Sequence, residues 1–263
     1  MDKVLLPNMP VWLMAVIVLL LILLFNWFGF IYRKKQMENG SFSEPSGMNI
    51  IESSLMGLTA LLLGFTFSMV ATKFDNRRHI IIEEANHIGT AILRCDLYPD
   101  SVKSLLRADF RHYVEARIAF YDAGSDEQKI QAALDTAAFY SARIWQRVTL
   151  VSHNPANLVR TGQMIPALNN MIDIVTTRDA DRKNTVPRLI LFTLLSFSLL
   201  SAFLSGYGNK AKRRNLLMVG AFAFTSTFAL YLIMELDRPK QGFINVYKSE
   251  QYIEALREMF HEK

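Results

Sequence analysis

Four long apolar runs dominate the sequence, at residues 11–31, 50–71, 189–207 and 216–234. Each can cross a hydrocarbon core of about 30 Å as a helix rising 1.5 Å per residue. Only Glu52 interrupts the second run. The first is too long for the core of a cleaved signal peptide, and no small-residue cleavage site follows it. Between the second and third runs the texture changes to helical spacing. Phe74, Ile81, Ala85, Ile88 and Ile92 prolong the second span as one amphipathic helix, with no proline until Pro99. A second helix is predicted from Asp100 or Ser101, with Val102, Leu106, Phe110 and Val114 on its apolar face. Ser125 and Gln128 fit a capping box for a third. Its inner positions are Ile130, Leu134, Ala137, Ile144, Trp145 and Val148. Asn154-Pro155 opens a fourth, carrying Ile165, Leu168, Met171, Ile172 and Val175. After the last span, Pro239 and Gly242 break the helix, and a short amphipathic one follows with Tyr252, Ile253, Leu256 and Phe260.

Strand alternation is scarce, so the fold class read from this pattern is all-α. It is a four-span helical membrane protein with an extramembrane bundle continuous with span 2. The division expected is 1–49 (first span and linker), 50–71 (span 2), 72–186 (helical domain), 187–234 (spans 3 and 4) and 235–263 (a tail packing on the domain). Residues 36–47 read as the flexible linker.

Composition agrees with that reading. Hydrophobic residues make up 51% of 263 and charged residues 20%, below the quarter usual for soluble domains. One cysteine, Cys95, excludes a disulfide scaffold. The net charge of +5 has a local source. Residues 72–186 are nearly balanced, with 15 Lys+Arg against 14 Asp+Glu, whereas Lys210, Lys212, Arg213 and Arg214 crowd one short loop. The excess reflects topology and is not a nucleic-acid footprint. Seven Lys and Arg in loops 32–49 and 208–215 favour those loops in the cytoplasm and the helical domain outside. Lys73, Arg77, Arg78, Arg182, Lys183 and Arg188 flank the spans on the domain side.

Chemistry-bearing motifs are few. No P-loop, dinucleotide fingerprint or nucleophile elbow occurs, and no clustered catalytic constellation supports an enzyme. His79, Glu83 and His87 form an i, i+4 row that reads as a polar helix stripe before it reads as a metal site. No cofactor is called for. Span 2 is the informative piece. Ser53, Ser54, Thr59, Thr66 and Ser68 are many polar groups for one span, and Gly57, Ala60 and Gly64 permit close helix approach. Two readings stand side by side. One is helix packing, within or between subunits. The other is a pore lining, with Leu61 and Phe65 as an apolar constriction and Lys73, Arg77 and Arg78 as an electropositive mouth.

The stretch LLLGFTFSMVATKFDNRRHIIIEEANHIGTAILR, with LDRPKQGFINV after the last span, resembles the bacterial bestrophin-like membrane family, formerly a domain of unknown function. The motif positions are Gly64, Phe74, Asp75, Glu84, Asn86, Asp237, Pro239 and Gly242. More distantly the pattern is similar to bestrophin anion channels, through Leu63-Gly64-Phe65, the Lys73-Phe74 exit with Arg77, and the Pro239/Gly242 pair. That resemblance implies a homo-oligomer, pentameric in bestrophins, in the bacterial inner membrane, with span 2 lining the path of anions such as chloride. Phe65 matches the aromatic of the neck and Leu61 the neck position one turn earlier, while Gly57 stands where the family expects bulk. The acidic calcium cluster of animal bestrophins is absent from the tail. Bestrophins hold the helical domain in the cytosol, opposite to the charge count, so the side that 72–186 faces stays open. The competing reading is a non-conducting sensor or scaffold whose helical domain binds a partner protein.

Overall fold

The computed structural model describes residues 9–39, 47–124, 126–208, 216–238 and 247–260. Among them every regular element is helical, as the spacing predicts. Helices α1 (Val11–Glu38), α2 (Met48–Arg94), α6 (Arg188–Gly208) and α7 (Leu216–Asp237) include the four segments long and apolar enough to cross a membrane. Helices α3 (Asp100–Asp122), α4 (Glu127–Ser152) and α5 (Leu158–Lys183) follow α2, and α8 (Tyr247–Glu254) continues into a 3-10 segment, Ala255–Phe260. The chain separates into two compact units: residues 1–74 with 185–244, and 75–184 with 245–263.

In the first unit α1 and α6 touch backbone to backbone. A Cβ at Gly29 would fall on the Phe203 carbonyl, and one at Gly206 on the Asn26 carbonyl. Closeness brings polar groups into reach: the buried Asn26 amide donates to the Ala202 carbonyl at 3.1 Å, and Arg33 to the Tyr207 carbonyl at 3.0 Å. Ile22, Ala202 and Ala223 form one buried cluster. Val70, Val186, Leu194, Leu230, Ile233 and Leu236 form the other. Where the chain enters α6, the buried Asp237 carboxylate accepts from the Val186 N–H at 3.0 Å. In lipid such otherwise orphaned backbone groups need a partner inside the protein.

In the second unit the predicted apolar faces meet. Ile81, Ile88, Ile92, Leu106, Phe110, Val114, Ile144 and Leu168 are all buried. Three details differ from the sequence reading. The α4 cap is Asp126, whose carboxylate accepts from the Gln128 and Lys129 N–H groups; Ser125 lies outside the described residues. Trp145, Ile172 and Tyr252 are exposed. On α5 the inward stripe runs Thr161, Met164, Leu168, Met171, Ile174, Arg178, so Met164 and Ile174 take the places given to Ile165 and Ile172. A helix rotated by part of a turn satisfies the same apolar spacing, and only its neighbours choose the face. Asn154-Pro155 does open this stretch: the Asn154 side chain accepts from the Ala156 N–H, and a 3-10 turn, Pro155–Asn157, leads into α5.

Candidate functional site

Helix α2 is 47 residues long, about 70 Å at 1.5 Å per residue. One side of its apolar half packs within its own unit. Thr59, Thr66 and Val70 are buried there. The two threonines return their hydroxyls to the Leu55 and Leu62 carbonyls at 2.7 and 2.8 Å, and Thr59 also meets the Ser201 hydroxyl at 3.3 Å. Two of the five polar residues in this span are therefore packing groups. The remaining arc is uncovered: Ser53, Ser54, Gly57, Leu61, Gly64, Phe65 and Ser68 are exposed, Leu61 at 54% and Phe65 at 65%.

Two glycines at the middle of that arc differ from Gly29 and Gly206. A Cβ on Gly57 or Gly64 would meet nothing within 4 Å. Glycine inside a helix costs about 1 kcal/mol relative to alanine. Among the described residues no contact accounts for it at these two places.

The cations below this face divide. Lys73 is half-buried and donates to the Thr185 carbonyl at 3.4 Å. Arg77 is 3% exposed, lies 3.5 Å from the Asp181 carboxylate and donates to the Asn184 carbonyl. Arg78 is exposed, with Asp75 at 3.7 Å one turn before it. His79, Glu83 and His87 remain a helix stripe, with 3.7 Å between His87 and Glu83. Among the described residues no three His, Cys, Asp or Glu side chains converge as metal ligands. Cys95 is buried, its thiol donating to the Ala91 carbonyl, and burial pushes its pKa up to about 12, so it is not a reactive thiol at neutral pH.

The Bestrophin-like domain matches residues 48–251, more than three quarters of the chain. The chain belongs to the Bestrophin-like family. Among solved structures, three forms of a bacterial Bestrophin homolog from Klebsiella pneumoniae share the fold. Two are point variants. One has a TM-score of 0.70 at 15% identity, covering 95% of this chain and 97% of that one. The other has 0.69 at 14% identity, with 93% and 98% covered. The third, phased on zinc, has 0.63 at 14% identity, with 93% and 97% covered. No curated protein matches.

The positions that the sequence reading takes as motif positions fall into different environments. Gly64, Asp75 and Asn86 are exposed, Phe74 is half-buried, and Glu84 and Asp237 are buried. Pro239 and Gly242 lie outside the described residues. Glu84 holds a network that the sequence did not disclose. Its carboxylate accepts from Arg117 Nε at 2.5 Å and from the Tyr121 hydroxyl at 2.6 Å. Burial and the adjacent carboxylate hold the Tyr121 phenol above its ordinary range, so it stays a neutral donor. The partners stand 33 and 37 residues away, beyond any local signal.

Proposed function

We propose that the chain is the subunit of a homo-oligomeric ion channel of the bacterial inner membrane, conducting anions along an axis lined by the exposed arc of α2. The observation that carries this reading is the pairing of bulk and absence on one face. Leu61 and Phe65 project uncovered, while among the described residues no atom comes within 4 Å of where a Cβ on Gly57 or Gly64 would stand. Lipid would favour continuous apolar bulk there. An axis shared by several copies accounts for small and polar positions separated by a constriction that gates by dewetting. Arg78 supplies the exposed positive charge at the mouth; Lys73 is turned to the Thr185 carbonyl, and Arg77 is matched by Asp181 and acts as an internal strut. The family and fold argue for self-association and a channel.

The test begins with the mass and class averages of the purified complex in nanodiscs. A ring of four or more subunits with α2 at the axis is expected, and Phe65→Ala should raise leak current in planar bilayers. A dimer with no axial opening, or an unchanged current in that variant, would set the channel aside in favour of a scaffold.

A further inference from the structure

A cleft of about 260 Å³ opens at the end of the spans where α1 and α6 begin and α7 ends. Its lining is mostly apolar, with Met14, Leu191, Leu195, Leu230 and Met234 supplying a hydrocarbon floor. Arg188 and Arg238 stand at it. Both are only half-buried, and among the described residues neither has a carboxylate within 4.0 Å. Among the described residues, the Arg238 guanidinium reaches the Met14 sulfur, at 3.9 Å. Asp237 also borders the cleft, but it is buried and its carboxylate is committed to the Val186 N–H. The cleft therefore carries two half-buried guanidiniums and one buried, hydrogen-bonded carboxylate beside an apolar lining, a net positive charge.

We propose that this cleft is a binding site for an anionic phospholipid, with the phosphate held by Arg188 and Arg238 and an acyl chain along the floor. A guanidinium fork matches phosphate oxygens in pairs, and its weak hydration lowers the cost of leaving water. Its aliphatic stem lies on apolar surface while the head stays at the membrane boundary. Basic pockets between spanning helices select anionic headgroups by this chemistry. The apolar floor favours a lipid over a free phosphate, which would leave it bare. Leu189 and Phe192, exposed at 76% and 49% beside the cleft, fit a face turned to lipid. This proposal needs only that α1, α6 and α7 span the membrane, and it stands whether or not the chain conducts ions.

The test uses the full chain, delipidated in detergent and titrated with phosphatidylglycerol or phosphatidylcholine of identical acyl chains. Bound lipid is counted by native mass spectrometry, and thermal unfolding is followed in parallel. The expected result is about a tenfold preference for phosphatidylglycerol, abolished by Arg188→Gln with Arg238→Gln. Leu195→Trp, which fills the floor without touching the charges, should lower the occupancy of both lipids. Should the double variant not fold, the single Arg188→Gln variant carries the comparison, and a reduced preference is expected. Equal binding of the two lipids by the unaltered chain, a preference surviving in the variants, or the same stabilisation by inorganic phosphate would overturn the proposal. So would a change in subunit number in the folded glutamine variant, which would mark the cleft as an interface between copies.

Discussion

Glu84 pairs with one of two buried guanidiniums. Arg117 is fully buried and lies over the Phe120 ring at 4.6 Å; Arg178 is 4% exposed and lies over the Tyr121 ring at 5.5 Å. Ring faces offset part of the lost hydration of a cation. They do not replace a counter-charge, and Glu84 supplies the one within hydrogen-bond reach of Arg117. Glu84→Gln keeps the shape of the side chain and removes that charge. Breaking a buried ion pair from one side costs about 3–5 kcal/mol, and the expected outcome is a fall in the thermal midpoint of roughly 10 °C or more in detergent. Arg117→Met in the same chain should recover part of the loss, since the coupled pair is then removed together. A double-mutant cycle by thermal unfolding measures this, and strict additivity would show that the pair does not carry the stability assigned to it. The sequence offers Glu84 only as a resemblance to a motif position. Its role was not legible, because nothing around position 84 points to positions 117 and 121.

Glycines show at the element level where sequence reading reaches its limit. Gly57, Ala60 and Gly64 on α2 read as the small residues of a tight helix crossing, yet within the chain the tight crossing is elsewhere, at Gly29 on α1 and Gly206 on α6. Gly206 continues a small-xxx-small row with Ser198 and Ala202, the spacing that advertises an interface, whereas Gly29 sits alone in an apolar run. A single residue that must vanish at a backbone crossing leaves no periodic mark. The long apolar runs, the continuation of α2 and the start of α3 were legible because length and 3.6-residue spacing are properties of one helix alone. Which face of α5 turns inward was not, because it depends on its neighbours. The crossing gives a direct prediction. Gly206→Ala or Gly29→Ala places a methyl group on a main-chain carbonyl, so α1 and α6 must separate and the Asn26–Ala202 hydrogen bond lengthens. The cost is about 1–3 kcal/mol. Gly220→Ala, where a Cβ meets nothing within 4 Å, should be neutral or stabilising by helix propensity. Equal thermal midpoints for all three variants would contradict the backbone contact.

At the scale of the whole chain, the last described residues return to elements more than a hundred positions earlier. Ile253 and Leu256 are buried, and Leu256 lies where a side chain on Gly89 would touch it. Arg107 donates to the Met259 carbonyl and lies 5.9 Å from the centre of the Phe260 ring. Arg257 grips the Glu115 carboxylate with two hydrogen bonds, at 2.8 and 2.6 Å. That grip holds the Glu115 carboxyl below its ordinary range, which sets the sign of the pH response. A carboxylate with a depressed folded pKa stabilises above its unfolded value, near 4.3, and the contribution fades as pH falls through the folded value. Both side chains are about half exposed, so solvent screening limits the effect to about 1 kcal/mol or less. The expected outcome is local. Amide exchange in residues 247–260, corrected for intrinsic rates, should accelerate several-fold between pH 6 and pH 3.5, beyond any change in the α3–α4 core, and Glu115→Gln should show the faster rate already at pH 6. Protection that is unchanged by acid, or by the substitution, would mean that Ile253, Leu256 and the Arg107 contacts hold the tail without the ion pair.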